Sequence, residues 1–495
     1  MGVKTNKISG IKANASQPNG YDTQTAQWSN RMTNHKKNNS SGMSRRAFVR
    51  SLVGGIPIAA LGLAACASSK DDSAQTAGGT DNAVPSPTEA DGASKFAGVT
   101  LQVWAGATIA PPAKSAGERW AALTGGTVVV TPVPYAERSL KFAGLITAQD
   151  PSIDLLYASG SFVGRLGTKL YENLSSPDLG VDTSIYVPAT LPVLSSGESL
   201  CGLPIHSEMN IYIYNKTMFK AAGLDPDSPP AKWSDLYAAA SQLAKGDRYG
   251  CTIPWTTSIG TGGYYLLFLN SIKGAKLLSD DRTQVLFDGD AGLLAFTLIE
   301  EGMRAGFFTP DLGQDFEDYA TGKLFNEGGT ASMINFAELW GYAVGKSPTD
   351  FPTKLKPEEV GAAVVPLVDT GNSGSINGFE GLGINKFSQQ KAAALHYLRF
   401  VTGPEFQLEM NLGGTLPSSN TQILENPEVK AGYAVGPVLA KQGKGNLDRY
   451  SAPYNWDPPI SEALRKLYDG SIDAKQAHTA AVDGVQKIVQ DYLAA

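Results

Sequence analysis

An α/β fold divided into two lobes is what this 495-residue sequence predicts. Two observations lead there. Beyond residue 65 the chain holds 430 residues, more than one hydrophobic core ordinarily serves, so two lobes or domains are expected. Along that stretch strand-like and helix-like segments alternate, the order in which parallel sheets are assembled.

The first 42 residues are rich in Asn, Ser, Gln and Lys without apolar periodicity. They read as a disordered upstream extension, and translation is expected to start at Met43, where the next segment begins. Residues 43–65 carry a basic flank of Arg45, Arg46 and Arg50, then an uncharged apolar run from Val53 to Ala65. A membrane span needs ~20 apolar residues, so this run has the length of a signal-peptide core instead. Ser44-Arg45-Arg46-Ala47-Phe48-Val49 resembles the twin-arginine export signal. Leu63-Ala64-Ala65-Cys66 resembles a bacterial lipobox, whose cysteine is acylated after signal cleavage. The alternative is a small buried helix with a core cysteine. On the first reading residues 66–95 are a lipidated flexible tether, because Ala67 to Lys95 is Ser, Ala, Asp, Thr, Gly and Pro without periodicity. Cys66 then anchors an extracytoplasmic protein to the cell membrane.

The ordered chain is expected to begin near Phe96. Val99 to Trp104 alternates as a strand, Ser115 to Leu123 reads as a helix stopped by Gly125-Gly126, and Val128 to Val133 is a second strand. Ile153 to Tyr157 is an apolar run broken only by Asp154 and closed by Ser159-Gly160, as a buried parallel strand would be. Ile211 to Tyr214 is another strand. Trp233-Ser234 opens a helix with Ser234 as expected N-cap, with Leu236, Ala240 and Leu243 on its buried face and Gly246 past its end. Cys251 to Pro254 returns to strand. Ala291 to Arg304 and Gln390 to Val401 read as helices. The last helix carries Val485, Ile488, Val489 and Tyr492 on one stripe.

Charge and side-chain chemistry narrow the function. Of 41 Lys/Arg and 47 Asp/Glu, residues 1–65 hold nine and one, leaving 32 and 46 and a net charge of −14 on the rest. So acidic a surface argues against nucleic-acid binding, which needs a basic footprint. The four histidines show no metal-ligand spacing, and Gly-x-Ser-x-Gly is absent. No metal, cofactor or catalytic residue is therefore expected. Cys201 and Cys251 lie in what would be an oxidising compartment and are expected to form a disulfide, two buried free thiols being the alternative.

Several segments, in order, resemble family 1 extracellular solute-binding proteins, the receptors of sugar-type ABC importers. They are Leu101-Gln102-Val103-Trp104 with Asp154; Gly202-Leu203-Pro204, Tyr214-Asn215-Lys216, Ala222-Gly223-Leu224-Asp225-Pro226 and Trp233; Ala331-Ser332-Met333 through Trp340; and Gly378-Phe379-Glu380-Gly381-Leu382-Gly383-Ile384, the Lys391–Phe400 helix, Gly403-Pro404-Glu405 and Leu416-Pro417. The resemblance spans residues 96–495. It implies a two-lobed periplasmic-binding-protein fold of type II, a clam-shell whose interlaced lobes close by hinge motion. Lobe 1 would hold 96–204 plus 378–412 and lobe 2 would hold 205–377 plus 413–495. The chain would cross near Pro204-Ile205, Ile376-Asn377 and Gly413-Gly414.

The resemblance also implies a cleft where a small solute, a sugar above all, meets aromatic planes and paired polar groups. Glu208 aligns with a sugar-contacting glutamate of the maltose-binding protein's hinge segment, a surface acid on a hinge being the alternative, and His206 beside it is a secondary candidate whose alternative is a structural role. Trp340, Trp456 with Tyr454, Trp255 with Tyr264, Trp104, Ser159 and Phe379 are the further ligand-binding candidates; for each aromatic the alternative is a core position. Trp340 comes one residue late, with Ala337 in place of the usual glycine, and Phe379 replaces a frequent tryptophan. Ala158 stands where the maltose receptor has tryptophan and Gly160-Ser161 replaces its polar pair, which argues against maltose and for a smaller or differently shaped ligand. The expected partners are the solute, the permease subunits of an ABC importer and the membrane through the lipid, with the protein a monomer. The competing readings are a secreted enzyme such as a glycoside hydrolase, whose carboxylates meet only in space, and the same fold binding a polyol, phosphorylated polyol or peptide.

Overall fold

Leu101, Val103 and Ala105 are buried on one face of β1 (Thr100–Ala105), and the residues between them are more exposed, the period of two that a pleated strand imposes. The structure is a computed structural model that describes residues 95–494, apart from 255–261, 307–316, 347–351, 369–372, 377, 414–415, 433–434 and 446–450. The proposed signal with Arg45 and Arg46, Cys66, the tether and Trp255 lie outside the described residues. Among the described residues no helix is long and apolar enough to cross a membrane.

Helix α1 (Ala110–Thr124) starts five residues earlier than its pattern suggested, because Pro111 and Pro112 sit in its first turn, where a missing N–H costs little. It ends where Gly125 adopts φ 73° and donates its N–H to Ala121 O, the left-handed cap that glycine allows. Then come β2 (Thr127–Pro132), α2 (Tyr135–Ala148), the fully buried β3 (Leu155–Ser159) and α3 (Gly160–Leu170). A hairpin of β4 (Ser195–Ser196) and β5 (Ser199–Leu200) leads into β6 (Leu203–His206). With β10 spanning Glu380–Ile384, the first sheet has the order β2-β1-β3-β10-β6. β1 runs parallel to β2 and β3, while β10 is antiparallel to β3 and β6. Its core gathers Trp120, Phe142, Tyr157, Phe162 and, from α10 (Lys391–Thr402), Tyr397.

The second sheet is three-stranded, with β7 (Asn210–Asn215) antiparallel to both β8 (Ser332–Phe336) and β9 (Val360–Ala363). The same part of the chain forms α4 (Lys216–Ala221), α5 (Trp233–Leu243), α6 (Gly262–Asn270), α7 (Asp290–Arg304), α8 (Glu317–Asn326) and α9 (Glu338–Ala343), of which α4, α8 and α9 pack on this sheet. Ile211, Ile213, Met333 and Trp340 belong to a separate core. After α10 follow α11 (Pro404–Gly413), α12 (Thr421–Glu425), α13 (Pro427–Gly432), α14 (Gly436–Gln442), α15 (Asp457–Tyr468) and α16 (Ala474–Ala494). The last two pack on each other and on α6 and α7.

Three details differ from the pattern reading. Lys232, not Ser234, is the N-cap of α5, and no side chain caps it. Cys251 to Pro254 forms no strand; Thr252 alone bridges Met333 beside β8. The stripe on α16 buries Val485 and Val489, but Tyr492 is 46% exposed. The expected disulfide is also corrected. Cys201 and Cys251 are free, buried thiols, the first in the core of the first sheet and the second next to Thr252, which pairs with the second. Burial pushes their thiols up, to about 11 and about 12.

The chain passes between the sheets at residues 207–209, since β6 reaches His206 in the first sheet and β7 starts at Asn210 in the second. It returns between β9 and β10. Residues 416–421 stay with first-sheet elements, through Val187 N–H to Ser419 O and Thr421 N–H to Ile185 O. Val435 and Leu439 then join the second core.

Candidate functional site

In open α/β sheets the carboxyl ends of parallel strands are left free of helices and face the crevice where ligands bind. Here that edge comprises the ends of β1 and β3, and antiparallel β10 begins and β6 ends beside them. Four polar side chains converge on it. Arg138, in the first turns of α2, is buried and donates Nε–H to Val133 O at 2.9 Å. Its guanidinium carbon lies 4.0 Å from the centre of the Tyr157 ring. The Tyr157 hydroxyl donates to the Glu380 carboxylate, and Glu380 Oε2 lies 3.4 Å from Nε2 of the fully buried His206. Burial pushes the Glu380 carboxyl up, yet the His206 ring, the Arg138 charge and the Tyr157 hydroxyl outweigh it and hold it below its ordinary value.

The hinge lies directly beside this cluster. Ser207 donates its N–H to Pro417 O at 2.9 Å and its hydroxyl to Ser418 O at 3.0 Å. Glu208 is buried between the sheets. Its backbone carbonyl accepts from Gly378 N–H at 2.8 Å, and its carboxylate accepts from Glu338 N–H at 2.8 Å, at the start of α9. The carboxylate thus sits at a helix N-terminus, where orphan donors and the helix dipole favour negative charge.

The other expected residues divide. Ser159 is buried at the end of β3, paired with Glu380 in the β3–β10 register, its hydroxyl 3.2 Å from that of Ser161. Phe379 is buried next to Glu380. So Ser159, Phe379 and Glu208 come together at the hinge. Trp104 is half-buried near the end of β1, with the Lys141 ammonium 5.4 Å from its ring centre. Trp340 is 6% exposed and belongs to the second core. Tyr454 donates its hydroxyl to Arg282 O and packs its ring 5.3 Å from Tyr492, so its polar tip is already engaged. Trp456 is the buried N-cap residue of α15, and Tyr264 is half-buried in α6.

Arg138, Tyr157 and Glu380 were absent from the expected set. Tyr157 closes the apolar run of β3, and Glu380 lies inside the glycine-rich segment, so both stood at strand ends where a polar group is noticeable. Arg138 lies within a helical stretch and nothing in its spacing singles it out. Among the described residues no group of three His, Cys, Asp or Glu could hold a metal. A cavity of about 540 Å³ lined by Gln149, Lys386, Ser388 and Lys391 lies beside Asn385, at the other end of β10 from Glu380.

Residues 106–408 match the family described as bacterial extracellular solute-binding protein. Among curated relatives, a probable amino-acid ABC transporter periplasmic-binding protein, y4oP of Sinorhizobium fredii, is 25% identical over 58% of this chain and 61% of its own length. The chain therefore spans about three-fifths of that relative. The sn-glycerol-3-phosphate-binding periplasmic protein UgpB of Yersinia pestis is 25% identical over 70% of this chain and 80% of its own. Among solved structures, a solute-binding protein of Thermotoga lettingae bound with α-D-tagatose aligns with TM-score 0.68 at 21% identity, covering 79% of this chain and 100% of that one. One of Agrobacterium radiobacter in complex with ribitol aligns with TM-score 0.66 at 19% identity, covering 79% and 99%. These likenesses establish the two-lobed periplasmic-binding-protein fold.

Proposed function

We propose, from the premise that this chain belongs to the bacterial extracellular solute-binding proteins, that it captures a sugar or oligosaccharide in the interlobe cleft and delivers it to the permease of an ABC importer. The observation that carries the reading is the hinge, where Glu208, Phe379 and Ser159 meet the Arg138–Tyr157–Glu380–His206 cluster. Carboxylates accept paired hydroxyls through charge-assisted bonds, and an aromatic face covers the C–H side of a sugar ring. No catalytic step is assigned. Lobe 1 is then taken as the elements of the first sheet with α10 and α11, and lobe 2 as the second sheet with α14 to α16.

A second reading, a phosphorylated polyol, is favoured by the relative named for sn-glycerol-3-phosphate and by the cationic group of Arg138 at the sheet edge. A thermal-shift screen of the purified chain separates the two, because a ligand bound only by the folded state raises its melting temperature. Maltose and tagatose form one arm, and sn-glycerol-3-phosphate, ribitol and amino acids the other. Stabilisation by the first arm supports the sugar reading, and by the second alone replaces it. Export through Arg45 and Arg46 and lipid anchoring at Cys66 belong to the same proposal. Cys66→Ser is expected to move the protein from the membrane to the soluble fraction.

A further inference from the structure

Helix α3 carries Gly160 and Gly164 one turn apart, so both lie on one face. That face is occupied. A Cβ on Gly164 would stand 2.9 Å from Ala452 O and 3.1 Å from Ala452 N, and one on Gly160 would overlap the Ser451 hydroxyl and lie 3.1 Å from Val193 Cγ1. Ser451 and Ala452 belong to the other side of the cleft. Ser451 O accepts from Arg282 Nε at 3.0 Å, and Tyr454, three residues on, donates to Arg282 O and packs against Tyr492 of α16. That helical layer is joined to the second sheet by Asn270 Nδ2 donating to Ser375 O and by Asn210 N–H donating to Ser375 Oγ. Helix α3, by contrast, follows β3 directly and buries Phe162 and Val163 in the first core.

We propose that the glycine face of α3 is the seat on which the second lobe closes, with Ser451–Ala452 as the part that lands on it. The proposal rests on the two-lobed receptor reading but not on which solute is bound. Two missing side chains let backbone meet helix at van der Waals distance. A larger residue at Gly164 meets the Ala452 backbone first and holds the lobes apart at this point.

The test needs no ligand. In the purified chain with Cys66→Ser, the pair Gly160→Cys and Ser451→Cys is exposed to mild oxidant, and the disulfide is followed by peptide mapping without reduction. Gly144→Cys with Ser451→Cys is the control, since Gly144 of α2 has open space around it. The seat pair is expected to cross-link at least about tenfold faster than the control, and adding Gly164→Leu to it is expected to slow the reaction about tenfold by depleting the closed population. If the first pair does not fold, Gly164→Cys with Ala452→Cys reads the same contact, with Gly160→Leu as the added blocking residue. Equal rates for seat and control, or no effect of Gly164→Leu, would overturn the proposal. A failed ligand screen would leave it standing.

Discussion

Desolvation disfavours the ionised Glu380, and His206, Arg138 and Tyr157 together more than reverse it. A carboxyl depressed in the folded state stabilises the fold above its unfolded value, near 4.5, and that contribution fades as pH falls through the lower folded value. Glu380→Gln is therefore expected to cost about 1–3 kcal/mol at neutral pH and progressively less below pH 4.5. Urea unfolding across that range checks it; a cost independent of pH would refute the charge pairing. Glu208 answers to a different term. Because its carboxylate accepts the Glu338 N–H, Glu208→Ala should lower the unliganded stability by about 1–3 kcal/mol, whereas Glu208→Gln keeps an acceptor and should change it little. Equal melting temperatures for Glu208→Ala and the parent would remove that structural role. Both thiols are free and buried, so denatured, unreduced protein with Cys66→Ser should titrate two free thiols, and none would restore the bridge. Legibility at this scale followed chain geometry. Glu208 stood out through the family resemblance of its segment, and Arg138 did not because Tyr157 and Glu380 reach it from two separate strands.

Helices and strands were legible where one force dominated. The fully buried β3, the glycine-stopped α1 and the alternating β1 lie within two residues of expectation at the ends those signals mark. Signals failed where tertiary contact substituted for local chemistry: Trp233 N–H reaches Leu367 O instead of a capping side chain, and one bridge to Met333 serves Thr252 in place of a strand ladder. The motif residues that carried the family resemblance also acquire structural reasons. Asn215, from Tyr-Asn-Lys, accepts Met218 N–H at 3.0 Å and caps α4. Gly383 of β10 has no room for a Cβ, which would overlap Cys201 O and Tyr171 Cδ1. Asn215→Ala should cost about 1 kcal/mol and Gly383→Ala about 1–3 kcal/mol through overpacking, read from denaturant midpoints. A neutral Gly383→Ala would mean β10 can move away from β6 without penalty.

The two cores are separate, yet neither is built from one continuous stretch of chain. β10 fills the place between β3 and β6 only after the chain has visited the second sheet and formed β9. Helices α14 to α16 complete the second layer only after α10 and α11 have packed on the first. Hydrogen bonds at the passages, Gly378 N–H to Glu208 O and Ser207 N–H to Pro417 O, tie the returning strands to one another. Unfolding the second lobe would therefore release the entry to β10 and the exit from β6, two of the five strands on which the first core rests. Independent lobes would melt as two transitions, whereas interlaced ones should melt together despite the size of the chain. Met333 is fully buried in the second core, so Met333→Ala should remove about 2–5 kcal/mol. Calorimetry of the purified chain is expected to show one endotherm that moves down as a whole in this variant. A second endotherm left at the parent temperature, with only part of the heat displaced, would show that the first lobe stands without the second and that the hinge couples motion but not stability.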